Sequence, residues 1–216
     1  GGRNRLLPGC RSGAGRGAMN SAAWWLVRHA APHVAPGTCY GALDVPANPQ
    51  ATQQTARRLA EALPTGTLMS HSPLQRCEQL AHYLLALRPD LASNPDPRLR
   101  EMDFGDWEGR PWADIARGEI DAWTQDFAHY RPGAGERLPS MLARVDTARR
   151  EALKALQQGR PVAWITHAGV TRCVAWLSNH GGKLPLSHQW PLEAPGWGDW
   201  VMVRPGLTGE APVQQT

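Results

Sequence analysis

The 216-residue sequence has no apolar run near the ~20 residues that cross a bilayer, and its longest run, residues 22–27, is the size of a strand. A membrane protein is therefore not expected. The four cysteines are widely spaced without a C-x-x-C pair, and no His-Glu-x-x-His motif occurs. This pattern indicates buried thiols in a reducing cytoplasm rather than a disulfide framework or a zinc site.

The formal net charge of +4 is concentrated at the N-terminus. Residues 1–18 carry four arginines and no acidic residue, and the remaining Lys and Arg balance the 19 Asp and Glu. Because this segment is rich in glycine and lacks apolar periodicity, we predict a flexible tail outside the fold, translated upstream of a natural start at Met19. The alternative is a nucleic-acid-binding arm, but the neutral remainder favours no nucleic-acid partner.

From residue 22 to residue 203, short apolar runs alternate with longer helical patterns, as in α/β proteins with an open parallel sheet. We predict a single domain over residues 19–216. Strands are predicted over 22–27, 67–70, 161–166 and 199–203, and helices over 49–63, 73–87, 140–158 and 169–180.

Capping residues support the predicted helix ends. Asn48 before a proline marks the first helix start, and Ser72 with Gln75 forms the pattern of a capping box at the second. Ser140 is the predicted cap of the third helix, and Gly159 its left-handed stop.

Residues 104–139 interrupt this alternation with an aromatic-rich insertion. The stretch EIDAWTQDFAHY within it is periodic enough for a helix. One interpretation is a lid or pocket wall, and the alternative is a satellite hydrophobic cluster.

Basic side chains follow three of the predicted strands. Arg28 and His29 come directly after the first strand, His167 directly follows the strand over 161–166, and Arg76 lies near the start of the second helix. In open α/β sheets the ligand crevice lies outside the carboxyl ends of the strands, so these four residues are expected to face one place. The helix macrodipole disfavours a cation such as Arg76 near a helix N-terminus, unless an anion binds between the two. The position of Arg76 therefore indicates a phosphate site.

Four motifs, in order, carry a family resemblance. LVRHA (26–30), SHSPLQR (70–76), REMDFGDWEGR (100–110) and ITHAGV (165–170) resemble the motifs of the histidine phosphatase superfamily, which includes cofactor-dependent phosphoglycerate mutases. The resemblance implies a three-layer αβα sandwich of the phosphoglycerate-mutase-like kind.

Two further segments, GTCYGALD (37–44) and PGAGE (132–136), are similar to the alpha-ribazole phosphatases of cobalamin biosynthesis within that superfamily. The sequence departs from the family pattern where Ala30 replaces the glycine of R-H-G. It departs again where Arg137 replaces the serine of G-E-S.

The resemblance also implies a mechanism. His29 would attack phosphorus and form a covalent phosphohistidine. Arg28 and Arg76 would clamp the non-bridging oxygens, with a protonated His167 as a further donor. Glu101 would protonate the leaving group and then accept a proton from water. No metal or cofactor is implied, because the arginines supply the positive charge.

The resemblance also suggests substrate contacts. Ser72 and His33 hold motif positions that border the phosphate, although Ser72 also fits a helix cap and His33 a plain loop residue. The side chains that could contact the rest of the substrate are Tyr40, Trp107, Trp112, Trp123 and Glu136. The aromatic residues suit stacking on a benzimidazole-like base, and the alternatives are core packing for them and a surface charge for Glu136.

The predicted function is a cytoplasmic phosphomonoesterase, monomeric or homodimeric, that acts on a phosphorylated small molecule such as alpha-ribazole phosphate. The alternatives are a broad-specificity metabolite phosphatase, a phosphoglycerate-mutase-type phosphotransferase and a non-catalytic phosphate-binding module.

Overall fold

The computed structural model describes residues 22–204, so the predicted tail lies outside the described residues. The strands are β1 Trp24–Arg28, β2 Leu68–His71, β3 Ser93–Pro95, β4 Val162–Thr166 and β5 Trp200–Val203. The helices are α1 Pro49–Ala62, α2 Gln75–Leu87, α3 Arg117–Gln125, α4 Leu138–Gln157 and α5 Ala168–His180. The sheet order is β3-β2-β4-β1-β5, with β5 antiparallel to β1 and the other pairs parallel.

The central strands are buried on both faces, and their alternating side chains divide the core in two. Trp24 and Leu26 of β1 point toward α4 and α5, whereas Trp25 and Val27 pack with α1 and α2. β4 is buried along its whole length. The predicted three-layer αβα architecture is therefore confirmed.

Several predicted helix ends agree with the structure. The Asn48 side chain accepts a hydrogen bond from the Ala51 N–H at the start of α1. Gly159, just past α4, has a φ of 76°, which a residue without Cβ adopts freely.

The predicted starts of α2 and α4 are wrong. α2 begins at Gln75 rather than Pro73, and its N-terminus is bound by the carboxylate of Asp44, which accepts from the Gln75 N–H at 2.7 Å. Ser72 is not its cap. α4 begins at Leu138, so Ser140 lies inside the first turn and no side chain caps this end.

Strand β3 was not predicted. It is a three-residue edge strand paired with β2, and its Ser93, Asn94 and Pro95 lack the apolar pattern of a strand. Pro95 is tolerated because it lies at the edge of the sheet.

The insertion contains α3 and several short 3-10 turns. Cys39, Trp107 and Ile115 form a small buried cluster there, separate from the two main cores. The chain crosses itself at Gly105 and Gly133: a Cβ on Gly105 would lie 2.0 Å from the Gly133 carbonyl oxygen, and one on Gly133 would lie 2.1 Å from the Phe104 carbonyl oxygen. Only glycine permits this backbone contact.

Candidate active site

The carboxyl ends of β1 and β4 place two histidines side by side. Arg28 and Thr166 are paired in the parallel ladder, so the next residue on each strand, His29 and His167, reaches the same edge of the sheet. The imidazole centroids lie 5.2 Å apart. Arg76, in the first turn of α2, influences the pKa of both histidines. The structure therefore brings together the four residues that the sequence placed at strand ends.

His29 is held as a neutral imidazole. Its Nδ1 lies 2.7 Å from the Ala30 carbonyl oxygen, to which it donates a hydrogen bond. Burial, together with the charges of Arg76 and Arg28, lowers the pKa of His29 to about 3. The hydrogen bond to the Ala30 carbonyl acts in the opposite direction and raises the pKa. Because Nδ1 carries the proton, Nε2 keeps its lone pair, as a nucleophile requires.

Ala30 fits its position although the family motif has glycine there. The residue is buried. Among residues 22–204, Ala134 is the only non-glycine residue with a positive φ, so the backbone at Ala30 has a conformation that any residue adopts. The departure from R-H-G therefore introduces no backbone strain.

His167 is fully buried and bonded to a serine. Its Nε2 lies 2.8 Å from the Ser72 Oγ, which also accepts from the Leu74 N–H at 3.4 Å. The Ser72 hydroxyl has one donor and two acceptor positions, so it can accept from the Leu74 N–H and donate to Nε2 at the same time. With the bond in that direction, the proton of neutral His167 lies on Nδ1. Burial and the nearby Arg76 lower the pKa of His167 well below its usual value. Within the described residues Nδ1 has no hydrogen-bond partner, so it is a donor available to an anion.

The two arginines retain unused donors. Arg76 is fully buried and donates to the carbonyl oxygens of Leu43 at 2.9 Å and Gly41 at 2.6 Å. Arg28 donates to the Pro195 carbonyl oxygen at 3.0 Å. In the part of the chain that the structure describes, the Nε of each arginine is buried without a partner. Each guanidinium can therefore donate further hydrogen bonds to phosphate oxygens.

Glu101 lies at the N-terminus of α5. Its carboxylate accepts from the Gly169 N–H at 2.9 Å and from the Met102 N–H at 3.0 Å. A Cβ at residue 169 would lie 2.1 Å from the Glu101 Oε1, so only glycine permits this approach. The helix end fixes the carboxylate, which lines the same cavity as His29.

A cavity of about 350 Å³ opens in front of these residues. Its lining is mainly aromatic and aliphatic, with Arg28, His29, Glu101 and Arg172 as ionisable members. The remaining lining residues are Thr38, Tyr40, Met102, Phe104, Trp112, Trp123, Phe127, Leu138, Met141, Ala168, Gly169 and Trp190. Arg76, His167 and Ser72 are fully buried and are not part of this lining.

The predicted substrate contacts divide into two groups. Tyr40, Trp112 and Trp123 line the cavity, and the two indoles stack with an interplanar angle of 10°. Trp107 does not line it: the residue is buried in the satellite cluster, where its Nε1 donates to Glu119. The insertion therefore forms both a pocket wall and a separate cluster.

The remaining two predicted contacts lie outside the cavity lining. Both carboxylate oxygens of Glu136 accept from the Arg144 guanidinium, at 2.8 and 2.9 Å, so this carboxylate is engaged within the protein. His33 is an exposed loop residue. The expectations of a substrate contact at Glu136 and a phosphate contact at His33 are therefore not supported by the geometry.

Two functional residues were missed by sequence reasoning. Arg172 lines the cavity one helical turn beyond Gly169, and this i,i+3 spacing was a usable signal. Glu108 accepts from the N–H groups of Ala42, Leu43 and Phe104, which fastens the loop beside Tyr40 to the segment that follows Glu101. Nothing in the local sequence of Glu108 shows partners 66 residues away.

Among residues 22–204 no group of three or more His, Cys, Asp or Glu side chains could hold a metal ion. Cys39, Cys77 and Cys173 are free and buried, and burial raises the pKa of Cys39 and of Cys77 to about 12. No helix in the described part of the chain is long and apolar enough to span a membrane.

Such a set of two histidines, two arginines and a carboxylate at the strand ends of an αβα sandwich defines a phosphoryl-transfer site. Residues 24–196 match the family model of the histidine phosphatase superfamily (branch 1), and the chain belongs to that superfamily. The resemblance of the four motifs is thereby confirmed, and the chain is a phosphoric monoester hydrolase.

Relatives differ in the substrates that their names give. The adenosylcobalamin/alpha-ribazole phosphatase of Salmonella typhimurium is 28% identical over 157 residues, which are 68% of this chain and 74% of that protein. The glucosyl-3-phosphoglycerate phosphatase of Mycobacterium tuberculosis is 33% identical over 147 residues, which are 63% of each chain and so less than two thirds of that relative. A solved structure of a mycobacterial glucosyl-3-phosphoglycerate phosphatase with VO3 superposes with a TM-score of 0.69 at 27% identity, covering 84% of this chain and 92% of that one.

Proposed function

We propose that this enzyme hydrolyses phosphomonoesters through a covalent phosphohistidine on His29, without a metal ion. The observation that carries the proposal is the hydrogen bond from the His29 Nδ1 to the Ala30 carbonyl oxygen. This bond leaves the Nε2 lone pair free in a site surrounded by donors for phosphate oxygens. A neutral imidazole at this place is a competent nucleophile.

In the first step the His29 Nε2 forms a bond to phosphorus while the bond between phosphorus and the ester oxygen breaks. The leaving oxygen takes the proton of a neutral Glu101 carboxyl, which yields the free alcohol and the Glu101 carboxylate. Arg28, Arg76 and the His167 Nδ1–H stabilise the charge on the non-bridging oxygens.

In the second step a water molecule takes the place of the alcohol. The Glu101 carboxylate accepts a proton from the water as its oxygen bonds to phosphorus, and the bond between nitrogen and phosphorus breaks. Inorganic phosphate leaves, and both His29 and Glu101 regain their starting forms. The sum is one ester and one water converted to one alcohol and one phosphate.

We further propose that the alcohol carries a heteroaromatic ring, as alpha-ribazole phosphate does. Trp112 and Trp123 stack on each other at the cavity wall, and Tyr40 also lines the cavity. Offset stacking on such rings favours planar apolar groups over sugars alone. The name of the Salmonella relative, an adenosylcobalamin/alpha-ribazole phosphatase, supports this choice. With alpha-ribazole phosphate as its substrate, the enzyme would act in cobalamin biosynthesis.

A second candidate, a phosphate ester with a carboxylate such as glucosyl-3-phosphoglycerate, is favoured by Arg172. In the described residues its Nε is buried without a partner, and burial lowers the pKa of its guanidinium. A substrate carboxylate would pair with this poorly solvated cation. The ratio of kcat/KM for alpha-ribazole phosphate to that for glucosyl-3-phosphoglycerate discriminates between the two candidates. A separate assay with 3-phosphoglycerate tests for mutase activity, in which the product is an isomer and no phosphate is released.

Acid-labile, base-stable label on His29 after quenching during turnover would support the mechanism. His29→Ala should abolish turnover, and EDTA should leave the wild-type rate unchanged. Label on Ser72 or on a carboxylate, or a requirement for a divalent ion, would refute the mechanism.

A further inference from the structure

Arg144 of α4 binds the backbone on which Glu101 is carried. Its Nη1 donates to the carbonyl oxygens of Arg98 at 2.8 Å and Arg100 at 2.6 Å, and its Nη2 donates to that of Glu101 at 3.2 Å. The Nε and Nη2 also donate to the two carboxylate oxygens of Glu136. All five N–H donors of the guanidinium are therefore used, which fixes its plane.

Glu136 fastens the same segment from its other side. Its N–H donates to the Asp103 carbonyl oxygen at 2.7 Å, two residues beyond Glu101. Its side chain binds Arg144, which in turn donates to the carbonyl oxygens of Arg98 and Arg100, the residues before Glu101. The side chains of Arg144 and Glu136 are only 21% and 17% exposed, so solvent weakens this charged pair little. The backbone is thus held before and after Glu101.

We propose that Arg144 and Glu136 are a positioning pair for the general acid Glu101. This inference rests on the proposed function of Glu101. The Gly169 and Met102 N–H groups bind the carboxylate, but the direction of the side chain depends on where its backbone begins. A displacement of about 1 Å at a reacting group can cost on the order of 100-fold in rate. Neither Arg144 nor Glu136 lines the cavity, so the pair acts on the reaction through Glu101.

The test compares hydrolysis of an alkyl phosphate with that of p-nitrophenyl phosphate. An alkoxide needs a proton to leave, whereas nitrophenolate hardly does, so a misplaced acid slows the alkyl ester selectively. We expect Glu136→Gln to lower the alkyl-to-nitrophenyl ratio of kcat/KM by about 10-fold to 100-fold. Arg144→Lys, which keeps the charge but lacks the planar fork, should change the ratio in the same direction.

Asp146 supplies the matched control. It lies on the same helix, is 16% exposed and accepts hydrogen bonds from Arg149 and Arg150, but it contacts neither Glu101 nor its segment. Asp146→Asn should lower the melting temperature to an extent similar to Glu136→Gln and leave the ratio unchanged. A general loss of stability therefore cannot account for a changed ratio in Glu136→Gln.

Glu101→Gln separates the two hypotheses. The double variant with Glu136→Gln should show the same ratio as Glu101→Gln alone, because the pair acts through a group that is already removed. If Glu101→Gln changes the ratio but Glu136→Gln and Arg144→Lys slow both substrates equally, the positioning role is wrong and the proposed function stands. If Glu101→Gln itself slows both substrates equally, Glu101 is not the acid and the proposed function fails at that residue. If Glu136→Gln does not fold, the same comparison is made with Arg144→Lys.

Discussion

Acidification should destabilise the protein through the buried nucleophile. His29 is 2% exposed, and its pKa is lowered from 6.5 to about 3 in the folded protein. The unfolded chain therefore binds a proton between these two pH values while the folded protein does not. Stability must rise with pH across this window and fall as pH drops below about 6.5.

The magnitude follows from the linkage relation. At pH 5 the imidazole of the unfolded chain is almost fully protonated, whereas that of the folded protein is neutral. The solution pH then lies about 1.5 units below the pKa of the unfolded chain. At about 1.36 kcal/mol per unit, His29 alone removes about 2 kcal/mol of unfolding free energy between pH 7 and pH 5. His167, whose pKa is lowered in the same direction, adds to this loss.

The assay is urea unfolding at pH 7, 6 and 5 in buffers without phosphate, since a bound anion would change the pKa. His29→Gln removes the titrating group, so its stability should fall by about 2 kcal/mol less than that of the wild type over this range. His33→Gln, at an exposed position, is the matched control and should behave as the wild type. An equal pH dependence for wild type and His29→Gln would refute the account of a neutral, desolvated His29.

Two further predictions concern the acid and the pocket. Gly169→Ala places a Cβ 2.1 Å from the Glu101 Oε1 and so displaces the carboxylate. The substitution should reduce kcat/KM for alkyl phosphates by about 100-fold and that for p-nitrophenyl phosphate by less. Equal effects on the two substrates would contradict this role of the glycine. Trp123→Leu should raise KM for alpha-ribazole phosphate about 5-fold, as expected for one lost stacking contact of about 1 kcal/mol, and leave inhibition by inorganic phosphate unchanged. An unchanged KM would count against an aromatic subsite.

The sheet and the reacting groups could be predicted from the sequence because both depend on local patterns. The apolar runs over 22–27 and 161–166 form β1 and β4 within one or two residues. Arg28 ends β1, and His29 and His167 directly follow β1 and β4, so their convergence follows from parallel topology. Asn48 caps α1 as its sequence indicates.

The errors occur where a distant residue decides the local structure. Asp44, 31 residues before Gln75, binds the N-terminus of α2, which frees Ser72 to bond His167. The three residues of β3 lack an apolar pattern and are extended because β2 offers a free edge. Trp107 and Trp112 are only five residues apart, yet one is buried in the cluster and the other lines the cavity. Local propensity contains no information on such partners.

The proposed phosphate clamp and the aromatic wall of the cavity are held by one loop. Arg76 donates to the carbonyl oxygens of Gly41 and Leu43, and Glu108 accepts from N–H groups of the same loop. The Arg76 guanidinium carbon also lies 5.3 Å from the ring centroid of Tyr40, which lines the cavity. A guanidinium and an aromatic ring attract each other electrostatically, so the position of Tyr40 depends on Arg76, the proposed phosphate clamp. Substitutions at Tyr40 and Arg76 should therefore be non-additive, because the aromatic wall and the phosphate clamp are held by the same backbone.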